Sequence, residues 1–144
     1  MLQKCASFGL LAGIVAGCTG AAEDAFAGRY SGTYTCRGEN LDTGARFEGD
    51  PIDSTIAIEL DSTGRAFLAG SCTIYLEVIG ATRAEIVPRS CSGTTDEGEA
   101  FTAEIREGVV SRREPRLGYV VSSINTSASS RIAATCEFDG ERVE

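Results

Sequence analysis

Apolar and polar residues alternate with a period of two along most of this chain. The clearest case is the stretch "FAGRYSGTYTC", in which Arg29 and small hydroxyl residues occupy one face. The residues on the other face are Phe26, Gly28, Tyr30, Gly32, Tyr34 and Cys36. Successive side chains of a β-strand point to opposite faces of a sheet, so this pattern predicts a half-buried strand.

The same alternation returns in short segments up to the C-terminus. "STIAIEL" places Ile56, Ile58 and Leu60 on one face, and turn residues follow it in "DSTGR". Further strands are predicted in "RAFLAG", "CTIYLEVI", "RAEIVP", "EAFTAEIRE", "VVSR", "LGYVVSSI" and "SRIAATCEF", and no segment keeps a 3.6-residue period. We therefore expect an all-β domain: a small antiparallel barrel or sandwich of eight or nine short strands.

The N-terminus has a different pattern. Lys4 is followed by an eleven-residue apolar run, Ala6 to Ala16, which is too short to span a membrane and has the layout of a secretory signal peptide. The run ends in "VAGC", which resembles the lipobox of bacterial lipoproteins. That resemblance implies cleavage before Cys18 and attachment of acyl chains such as palmitate to this cysteine.

This interpretation divides the chain into three parts. Residues 1–17 are expected to be a helical signal peptide, residues 18–27 a lipidated tether, and residues 28–144 a disulfide-bonded β domain. In Gram-negative lipoproteins an Asp after the lipidated cysteine tends to hold the protein in the inner membrane, and Thr19 stands there in this chain. The resemblance therefore implies a lipid-anchored protein of the cell envelope, at the outer membrane.

The charge balance restricts the partners. A mature chain beginning at Cys18 carries 12 Arg, no Lys and 21 acidic residues, a net charge of −9. Such a balance argues against nucleic acid, because phosphates favour a basic surface. It also argues against electrostatic adhesion to anionic lipids, so we expect membrane attachment through the acyl chains on Cys18.

Four cysteines remain in the predicted domain, and an even number in a small exported domain favours two disulfides. A zinc site is disfavoured because the chain has no Cys-x-x-Cys pair and no His. Three connectivities are formally possible for these cysteines. The four residues are Cys36, Cys72, Cys91 and Cys136.

Strand register favours one connectivity. In an antiparallel hairpin, the numbers of two opposing residues have a constant sum. For a hairpin of "CTIYLEVI" with "RAEIVPRSC", this sum must be 163 to place Cys72 beside Cys91, but 162 to keep Leu76 beside Ile86. A β-bulge supplies this one-residue difference, and Pro88 is a natural site for it because proline cannot donate to a ladder. The sequence therefore predicts Cys72–Cys91 and, by elimination, a Cys36–Cys136 bond joining the first and last long strands.

The absent residue types limit the chemistry. Without His there is no Ser-His-Asp or Cys-His arrangement, and without Lys in the mature chain there is no Ser-Lys dyad or Schiff base. Paired carboxylates are the one remaining catalytic option, but the strand glutamates alternate with apolar neighbours, which is typical of a solvated face. These glutamates are Glu59, Glu77, Glu85 and Glu104. We expect no enzyme activity, no metal and no cofactor.

Two groups of residues are candidates for ligand binding. Four aromatic residues could line a cavity within a barrel: Tyr30, Tyr34, Phe67 and Phe101. The segment "RREPR" could hold a phosphate or carboxylate by forked hydrogen bonds, or form a solvated hairpin loop paired with nearby acids. Its cations are Arg112, Arg113 and Arg116.

The stretch "FAGRYSGTYTC" is similar to the opening Gly-x-Tyr strand of small exported barrels of lipocalin-like shape. Two functions follow from this resemblance and from the features above. The first hypothesis is a non-catalytic lipoprotein that acts as an envelope component or binds an envelope protein partner. The alternative is a binding module that carries a small apolar ligand inside the barrel.

Overall fold

The computed structural model describes residues 21–143, so the predicted signal peptide and Cys18 lie outside the described residues. This part of the chain contains one short helix and ten antiparallel strands. The elements are α1 (Ala21–Phe26), β1 (Gly28–Asn40), β2 (Arg46–Glu48), β3 (Ile52–Leu60), β4 (Ala66–Leu68), β5 (Ile74–Gly80), β6 (Arg83–Ile86), β7 (Arg89–Thr94), β8 (Ala100–Arg113), β9 (Arg116–Ser127) and β10 (Arg131–Arg142). The expected all-β class is confirmed.

Eight of the strands form a closed ring. Pairing runs in the order β1, β3, β4, β5, β6, β8, β9 and β10, and β10 pairs in turn with β1. The remaining strands lie outside this ring, because β2 pairs with β1 and β7 pairs with β8. The fold is therefore a small antiparallel barrel, one of the two architectures that the alternation allowed.

Four long strands extend beyond the ring at one end. β1, β8, β9 and β10 are 12 to 14 residues long, whereas β4 and β6 have three and four. The far halves of β1 and β8 pair with β2 and β7 instead of with the ring strands β3 and β6. We call this extended end the open end, and the opposite end, where β1 begins, the closed end.

The core fills the ring toward the closed end. Alternating inner positions of the strands supply buried residues such as Tyr30, Ile58, Leu76 and Phe138. Helix α1 contacts β3, β4 and β5, and its last residue, Phe26, is fully buried in this core. The Tyr30 hydroxyl donates a 2.8 Å hydrogen bond to the Phe26 carbonyl, which joins the helix to β1.

The sequence predicts these helical residues to be part of the tether, whereas in the structure they pack against the barrel. Phe26 does not continue the alternation of β1, because it closes α1 and enters the core from the end of the ring. Its burial explains why an apolar residue stands in an otherwise small and acidic segment. The core therefore includes Phe26, a residue of the segment expected to be the tether.

Both disulfides form as predicted. Cys36 and Cys136 are directly opposed in the β1–β10 ladder and close the ring between its first and last strands. Cys72 bonds to Cys91. Disulfides persist in oxidising compartments, so the two bonds indicate an extracytoplasmic environment.

The predicted route to the second disulfide is only partly right. Leu76 opposes Ile86 in the β5–β6 hairpin, as expected from the 162 register. Val87 still donates its N–H to the Tyr75 carbonyl of β5 at 2.9 Å. The chain leaves the ladder at Pro88 and resumes as β7, which pairs with β8 instead of β5. The irregularity at Pro88 is thus a change of strand partner, and the register shift of this hairpin lies at Val78/Gly80.

Other strand boundaries also differ from the expected short segments. "EAFTAEIRE" and "VVSR" form the single strand β8, which passes Gly108 without ending and shifts register between Ile105 and Glu107. β10 continues past Asp139 and Gly140 to Arg142. Long-range pairing with β9 carries these strands through residues that end isolated strands locally, so the sheet has ten strands, four of them long.

Candidate functional site

Two wide depressions lie on the outer face of the sheet. The larger, about 720 Å³, is lined in part by Arg37, Glu39 and Arg106, and the second, about 580 Å³, by Glu77 and Glu85 among others. Charges here pair along the surface, as in Arg37–Glu137 at 3.2 Å and Arg106–Glu104 at 3.3 Å. Exposed pairs of this kind are typical of a solvated face and point to no ligand.

A third depression lies at the open end, and its lining is mainly apolar. It has a volume of about 380 Å³. We call it the cup, and its apolar lining residues are Cys36, Phe47, Phe101, Ile132, Ala134 and Cys136. Polar lining comes from the Asn125 amide and from hydroxyl residues such as Ser127 and Ser130. The cup therefore combines an apolar wall with a few groups that can form hydrogen bonds.

The inward residues become small above the disulfide, and one of them, Ala134, lines the cup. Cross-strand register places Tyr34 beside Phe138 in one layer and Cys36 beside Cys136 in the next. In the layer above them, Gly38 opposes Ala134, and Ala134 opposes Ser123. These three residues are too small to fill the space that aromatic rings occupy below the disulfide.

Two aromatic residues frame the cup, and each packs over a glycine of the neighbouring strand. Phe47 opposes Gly38, and Phe101 opposes Gly93. A β-carbon added to either glycine would lie 2.7 Å from the facing ring. Aromatic rings commonly cover glycines of a neighbouring strand in this way. The position of each ring therefore depends on the glycine opposite, and Phe47 remains 42% exposed.

The floor of the cup is formed by the ring-closing disulfide and the aromatic layer beneath it. The rings of Tyr119 and Phe138 stack with centroids 5.5 Å apart, and the Tyr34 ring lies 6.3 Å from that of Tyr119. Burial raises the pKa of Tyr34 and of Tyr119, so both hydroxyls remain neutral at physiological pH. The floor is thus uncharged and densely packed.

Hydrogen bonds hold the loops around the cup. The Ser129 backbone N–H and hydroxyl both donate to the carboxylate of Glu99, at 3.0 and 3.1 Å. These bonds, with the Ser129 hydroxyl contributing most, hold the pKa of Glu99 below its usual value. On the other side, the Arg131 N–H donates to the Asp42 carboxylate at 3.1 Å. The rim is therefore held by hydrogen bonds to the carboxylates of Glu99 and Asp42.

The four aromatic candidates do not form one site. Phe101 lines the cup, whereas Tyr34 lies in the layer beneath it and Tyr30 is fully buried at the closed end. Phe67 lies on the outer face of β4, between the buried Ala66 and Leu68, with its ring 5.9 Å from that of Tyr75. Phe67 thus does not face the interior of the barrel, because the alternation of β4 directs its neighbours inward instead.

The three arginine candidates lie together at the β8–β9 turn of the closed end, far from the cup. Arg112 pairs with Glu114 at 2.9 Å and also donates to the Ala81 carbonyl, and Arg116 pairs with Asp139 at 2.6 Å. Arg112 and Arg116 thus pair with nearby acids, but the Arg112 side chain is only 18% exposed and is not part of a solvated loop surface. Two of the three guanidinium groups therefore already have carboxylate partners.

Sequence reasoning missed Phe47, Ile132 and the two opposed cysteines as lining residues. Phe47 lies on β2, a three-residue strand that the alternation did not reveal. The turn residues "LDTGAR" before it, with Gly44 at a positive φ of 73°, are the signal that could have indicated a hairpin. Ile132 was placed on a strand, but its layer within the barrel depends on the β9–β10 register.

The described residues contain no group of three or more His, Cys, Asp or Glu side chains placed to hold a metal ion. Within residues 21–143, no helix has the length and apolarity that a membrane crossing requires. Compared with known proteins, the chain matches no family model, no characterised protein and no solved structure.

Proposed function

We propose that this chain is a lipid-anchored lipoprotein of the bacterial cell envelope that binds a partner protein at the cup and carries out no catalysis. The cup is the observation that carries this proposal, because it is an apolar depression framed by the partly exposed Phe47. Exposed apolar depressions rimmed by polar residues often mark interaction sites. The lining residues offer an amide and hydroxyls but no acid–base pair, and the chain has no His.

The position of the anchor agrees with this role. Cys18 precedes Ala21 by three residues, which reach at most about 11 Å when extended. Ala21 begins α1, which packs at the closed end. β1 then runs from Gly28 to Asn40, roughly 40 Å of strand, toward the open end. An anchor at Cys18 would hold the closed end near the membrane and direct the cup toward the aqueous phase.

The anchor is tested by metabolic labelling with an alkyne analogue of palmitate in a Gram-negative host. The full chain is expected to take up the label. A Cys18→Ser variant should not take it up, because it lacks the thiol that carries an acyl chain. Cys5→Ser is the matched control and should keep the label. Label that persists on Cys18→Ser would reject the anchor.

Density separation of the membranes should place the protein in the outer membrane and a Thr19→Asp variant in the inner one.

Partner binding is tested by photo-crosslinking in living cells. A photoreactive phenylalanine analogue at position 47 should link the full chain to one protein, whereas the same analogue at position 79, also exposed but at the closed end, should not. An Ala134→Leu substitution fills the cup and should abolish the crosslink while the melting temperature stays close to that of the parent. Equal crosslinking from both positions, or none from position 47, would contradict the proposal.

A second candidate function is carriage of a small apolar ligand. It is favoured by the cup volume of about 380 Å³, which lies within the usual range for small-molecule sites. Native mass spectrometry of the full chain, released from membranes in a mild detergent, distinguishes the two functions. A stoichiometric added mass that disappears in Ala134→Leu would support carriage, and an unmodified mass would oppose it.

A further inference from the structure

The charges at the two ends of the barrel are unequal. The open-end segments are residues 41–53, 69–73, 95–99 and 128–131, and they hold seven acidic residues against two basic ones. The closed-end segments, residues 21–27, 61–65, 80–83, 113–116 and 141–143, hold five of each. More than half of the net negative charge of the described residues is therefore concentrated at the open end.

These open-end acids surround the cup on two sides. Thr95 lines the cup and leads directly into Asp96, Glu97 and Glu99 in the β7–β8 turn. On the other side, the Asp42 carboxylate accepts from the backbone N–H of Arg131, which lies between the lining residues Ser130 and Ile132. An apolar group that enters the cup thus passes between two acidic segments.

Nearby cations do not neutralise this rim. Arg46 lies 3.9 Å from Glu39, a long pair between two exposed side chains, and the Arg131 contact to Asp42 comes from its backbone N–H. Asp96 and Glu97 take part in no ion pair within residues 21–143. An apolar cleft surrounded by charges of one sign attracts partners of the opposite charge and disfavours partners of the same charge.

We infer that the partner segment that enters the cup is basic: it places an apolar or aromatic side chain in the cup and lysine or arginine residues against the acidic rim. This inference rests on the proposed function and adds the chemistry of the partner. The apolar side chain supplies contact with Phe47, Phe101 and the disulfide floor. The flanking cations select the partner by complementing Asp96 and Glu97 on one side and Asp42 on the other.

The experiment uses a property of the chain itself, which contains no tryptophan. The full lipidated chain is reconstituted into nanodiscs of zwitterionic phosphatidylcholine, with empty nanodiscs as the blank. Three nine-residue probe peptides carry one central tryptophan with four Lys, four Gln or four Glu residues on each side. Tryptophan emission shifts to the blue on entry into an apolar site, so the shift reports occupation of the cup.

The lysine peptide is expected to bind roughly tenfold more tightly than the glutamine peptide, and the glutamate peptide more weakly than either. A double variant Asp96→Asn/Glu97→Gln should weaken the lysine peptide roughly fivefold and leave the glutamine peptide nearly unchanged. The matched control Glu59→Gln/Glu77→Gln removes the same charge away from the cup and should change neither. Raising the salt concentration to 0.5 M should remove most of the difference between the lysine and glutamine peptides.

The outcomes separate this inference from the proposed function. Equal binding of the three peptides, lost in Ala134→Leu, would reject a basic partner while leaving the cup as a binding site. If the preference for the lysine peptide persists in the Ala134→Leu variant, the peptide binds outside the cup, and the inference is rejected. No blue shift with any peptide would oppose the basic partner, while in-cell crosslinking from position 47 still tests the proposed function independently.

Discussion

At the residue scale, Arg142 has the largest number of polar contacts in the described structure. Its guanidinium donates to the carbonyl of Ala25 at 2.9 Å, to that of Ala27, and to the Tyr30 hydroxyl at 2.8 Å. It also pairs with Glu114 at 3.0 Å and lies over the Tyr30 ring. One side chain near the C-terminus thus joins α1, β1 and the β8–β9 turn at the closed end.

Replacing Arg142 with Met should therefore lower the free energy of unfolding by about 2–3 kcal/mol, because hydrogen bonds from a charged donor to partly buried acceptors are lost. Urea unfolding of the full chain measures the change. Arg113→Met is the control, because Arg113 makes no ion pair within residues 21–143, and it should stay within about 0.5 kcal/mol of the parent. Equal effects of the two substitutions would contradict this role of Arg142.

Glu114 gives the same network a dependence on pH. Hydrogen bonds from Arg142, with a smaller contribution from Arg112, hold the pKa of Glu114 below its ordinary value of 4.5. The folded state thus favours the ionised carboxylate. Its contribution to stability is full above pH 4.5 and is lost as the pH falls through the lower folded pKa.

A Glu114→Gln variant should be less stable than the parent at pH 7. The difference should shrink as the pH falls below about 4.5 and disappear below the folded pKa of Glu114, where both side chains are uncharged. Urea midpoints measured between pH 3 and pH 7 check this. Glu59→Gln, on the exposed outer face, serves as the control. A stability difference for Glu114→Gln that is the same at every pH would show that the charge is not responsible.

At the scale of elements, α1 shows how a short segment becomes part of a domain. Six residues are far too few for a stable isolated helix, so the packing of Phe26 holds α1 in place. The helix in turn covers the core at the end of the ring, where β3, β4 and β5 meet it. The segment that leads from the proposed anchor is therefore rigidly joined to the barrel.

A Phe26→Ala substitution should lower the free energy of unfolding by about 3–5 kcal/mol, because it leaves a cavity in the core. Asp24→Ala, at an exposed position of the same helix, should change it by no more than about 0.5 kcal/mol. Chemical denaturation of the full chain compares the two variants. A tether that is independent of the domain would instead make both substitutions neutral.

At the scale of the whole molecule, the two disulfides constrain the unfolded chain to different extents. Cys36–Cys136 spans 100 residues and Cys72–Cys91 spans 19. In the chain-entropy model, closing the longer loop contributes about 4.7 kcal/mol and the shorter one about 3 kcal/mol. Both contributions are large compared with a total stability of about 5–15 kcal/mol.

The double variant Cys36→Ser/Cys136→Ser should therefore lose more stability than Cys72→Ser/Cys91→Ser, by about 1–2 kcal/mol. Thermal and urea unfolding of both variants, expressed as the full chain, measure the difference. The first variant should also weaken binding at the cup, because the Cys36–Cys136 bond forms its floor. A larger loss in the second variant would mean that loop length does not govern the contribution of these bonds.

The sequence by itself determined the all-β class and both disulfides. Strand alternation is a local property, so Ile56, Ile58 and Leu60 could be assigned to the core face of β3 without knowledge of its neighbours. The cysteine pairs were predicted from counting and from the β5–β6 register, in which Leu76 opposes Ile86, but Cys91 lies on β7, which pairs with β8 and not with β5. Pairing of Cys36 with Cys136 then required the first and last long strands to be neighbours.

Only the tertiary structure decided between barrel and sandwich, where α1 packs and where the cup lies. Ring closure depends on which strands pair across long sequence distances, and alternation carries no information about partners. In the sequence, nothing distinguishes Gly38, Ala134 and Ser123 from other small residues. Only the strand pairing places them in one layer above the disulfide. The cup is lined by Ala134 of this layer together with residues of β1, β2, β8 and β9, so it appears only once the register of these strands is known.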